Sequence, residues 1–157
     1  PAVRISPLLH GGGHERGLRS GTLPVPLIVG FGAASRIAAA ELEGESVRVA
    51  ALRDDLLARL RAGRPDLRVN GAMSPRLPHN LNVAIPGVQA DELLMACSSV
   101  ALASGSACST EKLAPSHVLE AIGLDRALVF SSLRFGLGRE TTAEAIARAA
   151  QVLLALC

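Results

Sequence analysis

At 157 residues with 49% hydrophobic content, the chain can build one domain with its own core. Aromatic residues are only 2%, so that core must rest on Leu, Val, Ile and Ala. A net charge of +2 with scattered charges gives no basic block and excludes nucleic acid as the expected partner.

The cysteines Cys97, Cys108 and Cys157 are odd in number, far apart and without CxxC spacing. A disulfide framework and a zinc site are therefore not expected, and a reducing, cytoplasmic setting is. No signal peptide is recognisable, and no uninterrupted apolar run reaches the roughly 18 residues that span a bilayer, so no membrane partner is expected. Fifteen arginines stand against a single lysine, Lys112. The opening PAVRISPLLH has neither Met nor a capped first element, and the chain is expected to begin inside a longer protein.

Residues 2–9 read as an extended segment ended by Pro7. HGGGHERGLRSGTLP, 10–24, reads as a glycine-rich loop. A long helical region follows, with Thr22 as its cap and Pro24 and Pro26 in its first turn. Leu27, Ile28, Phe31, Ala34, Ile37 and Ala38, then Val49, Leu52, Leu56, Leu57 and Leu60, recur at helical spacing. Gly44 is placed to kink or divide it, and Gly63 and Pro65 to end it. LRVNG (67–71) and NLNVAIP (80–86) read as strands, 89–97 as a helix, VALAS (100–104) as a short strand and 116–122 as a short helix. SSLRFGLG, 131–138, alternates Leu133, Phe135 and Leu137 against Arg134, Gly136 and Gly138. A capping box from Thr141 to Glu144 opens the last helix. The pattern predicts an α/β chain: a long helix, then an α+β unit around a small, mostly antiparallel sheet.

Three segments carry candidate chemistry. The glycines of 10–24 let backbone N–H groups converge on an anion, Arg16 and Arg19 add charge, and Thr22 adds a hydroxyl near a helix start. The bland alternative is a surface loop. His10-Gly-Gly-Gly also looks like a lipase oxyanion loop, but no GxSxG follows. His10 and His14 have ligand spacing only on a helix, which the glycines between them oppose. Cys108 sits among Ser104, Gly105, Ser106, Ala107, Ser109 and Thr110. Those neighbours suit an exposed nucleophile, whereas Cys97, beside Leu93, Leu94 and Met95, suits the core. Arg134, on the polar face of its strand, is either a solvated side chain or a bidentate clamp for a carboxylate, and Arg139 could act likewise.

Taken together, GGGHERGLRSGTLP, NLNVAIPGVQADELLMAC, ASGSACSTEKLAPSHVLEAIGL and SSLRFGLGRETT resemble, in order, segments of the cysteine desulfurases of the NifS/IscS group, in the class V aminotransferase family. The resemblance implies a fold-type-I transferase that uses pyridoxal 5'-phosphate (PLP) and works as a homodimer. It matches Cys108 to the catalytic cysteine, which takes sulfur from L-cysteine as a persulfide, releases alanine and passes the sulfur to a scaffold or carrier protein. It matches Arg134 to the substrate-carboxylate arginine and Thr22 to a threonine that reaches the cofactor phosphate of the neighbouring subunit, with Arg19 as a further cofactor-binding residue. The Schiff-base lysine of the family has no counterpart, since Lys112 has the wrong context and order. The chain is therefore expected to be the C-terminal portion of such an enzyme, inactive without its N-terminal portion. Residues 1–22 would end the large domain, 23–63 would form the connecting helix region and 64–157 the small domain. The alternative is a cofactor-free persulfide carrier or a dimerisation module.

Overall fold

The computed structural model describes residues 3–104 and 115–157. Two units divide the chain, Pro1–Glu41 and Leu42–Cys157. Helix α1, Val25–Gly63, has residues in both, and each part is taken with its own unit.

In the first unit, residues 3–8 form no regular element, and the expected extended segment is reduced to one parallel bridge between Leu9 and Arg19. The bridge closes the glycine loop, with the Ser20 N–H donating to the Leu9 carbonyl at 3.1 Å. A single 3-10 turn, Glu15–Gly17, interrupts the loop. Gly11 stands at φ +149°, and a Cβ there would lie 3.2 Å from the Ser20 Cβ, so the crossing of the two arms requires glycine. The helix begins at Val25, not at Thr22. The Pro24 carbonyl starts its ladder, accepting from the N–H groups of Leu27 and Ile28. Thr22 thus lies before the helix and does not cap it. Leu27, Ile28, Phe31 and Ile37, the apolar positions of this part of α1, are exposed. By length and composition α1 contains a window long and apolar enough to cross a membrane, which corrects the count of uninterrupted runs. Alanine and glycine carry that window past isolated polar residues at which an uninterrupted count stops.

The second unit is built on a sheet of β1 (Arg68–Val69), β2 (Asn80–Ala84), β3 (Ala103–Ser104) and β4 (Ser132–Gly136). The spatial order is β1-β2-β4-β3 and every pair is antiparallel, as expected. Strand alternation divides the sheet into two faces. Leu81 and Val83 of β2 and Leu133 and Phe135 of β4 face one side, where they join a buried cluster with Val49, Leu56 and Leu60 of α1. Ile146, Ala150 and Leu153 of α5 (Ala143–Leu156), at helical spacing, complete that cluster. Cys97, at the end of α2 (Ala90–Ala96), is buried in it, as its apolar neighbours suggested. Gly63 ends α1 as expected, and its lack of a side chain has a steric reason. A Cβ there would meet Leu154 Cδ2 of α5 at 2.6 Å.

Several boundaries differ from the sequence reading. VALAS contributes only its last two residues, Ala103 and Ser104, to a strand, because pairing with β4 is confined to them. Val100 and Leu102 instead pack on the core from irregular backbone. The cap of α5 is Thr142, whose Oγ1 accepts from the Ala145 N–H at 3.2 Å. The hydroxyl of Thr141 is occupied one turn earlier, accepting from the Gly138 N–H at 2.9 Å. Ser116, read from sequence as the first residue of a short helix, is instead the cap of α3 (His117–Ala121). Helix α4 (Arg126–Phe130), capped by Asp125 Oδ1 on the Leu128 N–H at 2.9 Å, was not anticipated, since five residues are too few to show a period. Gly44 neither breaks nor divides α1. One glycine costs a helix about 1 kcal/mol, which the good helix formers around it absorb.

Candidate functional site

The sequence-predicted residues fall in two places. Thr22 and Arg19 belong to the glycine loop of the first unit, and Arg134 to the sheet of the second. Cys108 and Lys112 lie outside the described residues.

In the loop, Arg19 Nη1 donates to the carbonyls of Gly21 (2.9 Å) and Thr22 (3.0 Å), so the arginine fixes the backbone on which Thr22 sits. The Gly21 N–H donates to His14 Nδ1 at 3.4 Å. The N–H groups of Gly13 and Gly17 are also spent within the loop, on Gly11, Gly13 and His14 carbonyls. Those glycine donors therefore hold the loop together instead of converging on an anion. Glu15 and Arg16 both adopt left-handed backbone, at φ 53° and 58°, a strained pair for residues with side chains. The Thr22 hydroxyl is exposed and makes no hydrogen bond among the described residues. A hydroxyl and a charged neighbour suit a phosphate oxygen. The amine that a PLP aldehyde needs is absent from this loop, so the loop fits the phosphate end of that cofactor and not its reactive end.

In the second unit, the sheet face turned away from the core carries Asn82 of β2 directly opposite Arg134 of β4, with Ala103 of β3 on the other side of Arg134. Arg134 is exposed and, among the described residues, makes no ion pair or hydrogen bond. It stands on a strand whose other side, Leu133 and Phe135, is locked in the core, so its backbone is held while its guanidinium is left open. Beside it lies a polar network that the sequence reading missed. Asn70 Nδ2 donates to Asn82 Oδ1 at 2.7 Å and to Ser132 Oγ at 2.9 Å. Ser132 Oγ in turn donates to the Leu128 carbonyl at 2.6 Å. Arg76 Nη2 donates to the Asn70 carbonyl and its Nε to Ala72 at 2.8 Å, while the buried Nη1 has no partner among the described residues. Burial, and secondarily the nearby Arg53, pulls the Arg76 guanidinium below its ordinary value. The alternation of NLNVA signalled only that Asn82 faces opposite to Leu81 and Val83, and not which partners it meets.

Two hollows lie against α5. One, of about 140 Å³, is lined by Leu56, Leu102, Phe135 and Ile146, and a shallower one of about 580 Å³ by Ser99, Glu144 and Arg148. Neither includes Arg134. Among the described residues, no side chain is hydrogen-bonded or ion-paired to the Arg134 guanidinium, which is exposed on the sheet face turned away from the core.

Residues 4–148 match the family model described as Aminotransferase class-V. The chain belongs to that family. It is 50% identical over 151 residues to a cysteine desulfurase IscS of Pseudomonas aeruginosa, covering 96% of this chain and 37% of the relative. Among solved structures it resembles a NifS-like protein with TM-score 0.82 and 31% identity, over 98% of this chain and 39% of that one. It also resembles a structure titled "SspA in complex with cysteine", with TM-score 0.52 and 31% identity, over 84% of this chain and 35% of that one. The class-V chain thus spans less than two fifths of the length of these relatives. Its fold is that of the NifS-like transferases: helices with a small antiparallel sheet, part of a fold-type-I α/β enzyme.

Proposed function

We propose that this class-V chain is the nucleophile-bearing and carboxylate-binding part of a PLP-dependent cysteine desulfurase acting in the cytoplasm. The observation that carries the reading is Arg134, an open guanidinium on a strand fixed by the core, in a chain half identical to a cysteine desulfurase. Its planar fork takes both oxygens of the L-cysteine carboxylate. Cys108 attacks the substrate sulfur: an S–S bond forms as the substrate C–S bond breaks, and the carbon takes up a proton and leaves as alanine. When bound, the cofactor supplies the electron sink for that cleavage. Thr22, on backbone held by Arg19, offers its hydroxyl to the cofactor phosphate of the second subunit. The persulfide then passes from Cys108 to an acceptor protein.

The exposed apolar residues of the first unit are covered, in this reading, by the lysine-bearing remainder of the enzyme and by a second subunit. A protein cover fits this stretch better than lipid, because Arg36 and Glu41 interrupt it and a charge at bilayer depth is costly.

The purified chain supplied with PLP and L-cysteine is expected to release no sustained alanine, since Lys112 is its only lysine. Steady turnover by the chain alone would refute this. The absence of any other lysine also keeps a second reading open, a persulfide carrier loaded by a separate desulfurase. Intact mass after incubation with such an enzyme separates the two. A carrier gains one sulfur on Cys108, and loses that gain in Cys108→Ser.

A further inference from the structure

The hydrogen bonds of the sheet face fix which way each amide points. The Ser132 hydroxyl proton is committed to the Leu128 carbonyl, so Ser132 Oγ can only accept from Asn70. The contacting atom of Asn70 is therefore its nitrogen. Its second proton goes to Asn82, which must present its oxygen. That leaves Asn82 Nδ2 at the outer end of its side chain, and among the described residues it donates to nothing. Asn82 and Arg134 are register partners on one face, so their Cβ atoms stand roughly 5 Å apart.

We propose that Asn82 is a second binding residue for the carboxylate that Arg134 holds, donating one N–H to a carboxylate oxygen. A carboxylate offers about four lone-pair directions and a bidentate guanidinium uses two, so a third donor is accommodated. Asn70 acts as the positioning residue, since its bond to Oδ1 holds the Asn82 amino group toward the ligand. Asn82 thereby adds to the recognition of α-amino acids over simple amines. This inference rests on the desulfurase reading above.

The test is equilibrium binding to the cofactor-loaded enzyme by calorimetry, with L-alanine as a carboxylate-bearing probe and ethylamine as a probe without one. Asn82→Asp keeps the acceptor that Asn70 needs and replaces the donor with a like charge. It is expected to weaken L-alanine binding by about tenfold or more and to leave ethylamine within about twofold. Asn82→Ala should show the same selective loss. Equal weakening of both probes, or L-alanine binding unchanged in both variants, would overturn the proposal. Arg134→Ala, expected to weaken L-alanine by roughly 100-fold, separates the two levels. If it has no effect the desulfurase reading of the sheet face fails. If it alone has an effect, only the role of Asn82 fails.

Discussion

The two parts of α1 were written in one pattern and ended in opposite surroundings. Leu27, Ile28, Phe31 and Ile37 repeat at the same helical spacing as Val49, Leu56, Leu57 and Leu60. The first set is exposed and the second buried. Among the described residues of the first unit only Ser20 is buried, whereas the second unit closes a core between its sheet and α1, α2 and α5. Periodicity says that a face must be covered but not by what. In the second unit the cover is in the same chain, and in the first it is assigned here to the rest of the enzyme.

The sharpest way to break that contrast is in the buried set. Leu60 is fully buried, so Leu60→Ala is expected to cost the isolated chain about 2–5 kcal/mol, read from denaturant unfolding. A loss under about 0.5 kcal/mol would mean the second unit does not form its core alone.

What could be read in advance follows from the same physics. The sheet, its antiparallel order and the facing of Arg134 were legible, because alternation reports which side of a strand meets a core. The burial of Cys97 was legible from its neighbours. The cap of α5 was misread by one residue, because Thr141 and Thr142 are chemically alike and only the turn at Gly138 decides which hydroxyl is free to cap. The Asn70–Asn82–Ser132 network was not legible, since it joins residues 62 positions apart through strand register. The role of the loop glycines was misjudged for a similar reason, their N–H groups being consumed by neighbours whose carbonyls the sequence does not orient.

The next largest effect is expected in that network. Asn70→Ala leaves Asn82 Oδ1 and Ser132 Oγ without their donor and is expected to cost about 1–3 kcal/mol. A melting temperature within experimental error of the parent would show the network to be dispensable.

A smaller effect is expected at the start of α5. Thr142→Ala removes the cap and is expected to cost about 1 kcal/mol. It also bears on pH. The Glu144 carboxyl is held below its ordinary 4.5 by its own backbone N–H and then by Thr142. A depressed carboxylate stabilises the fold above its unfolded value, and that contribution is lost as pH falls through the folded value. Melting curves between pH 7 and pH 3 should therefore fall less steeply on the acid side in Thr142→Ala than in the parent. Parallel curves would assign the shift to the backbone alone.

The smallest expected effect is the one that sharpens the comparison most. Phe31 is 77% exposed, so Phe31→Ala should change the unfolding free energy of the isolated chain by less than about 0.5 kcal/mol. In the complete enzyme the same ring is expected to be covered, and its removal to cost about 3–5 kcal/mol, in line with other buried aromatics. The difference between the two backgrounds measures the cover directly, without reference to activity. An equal, small cost in both would leave the apolar face of the first unit without a protein partner and would return the bilayer to consideration for α1.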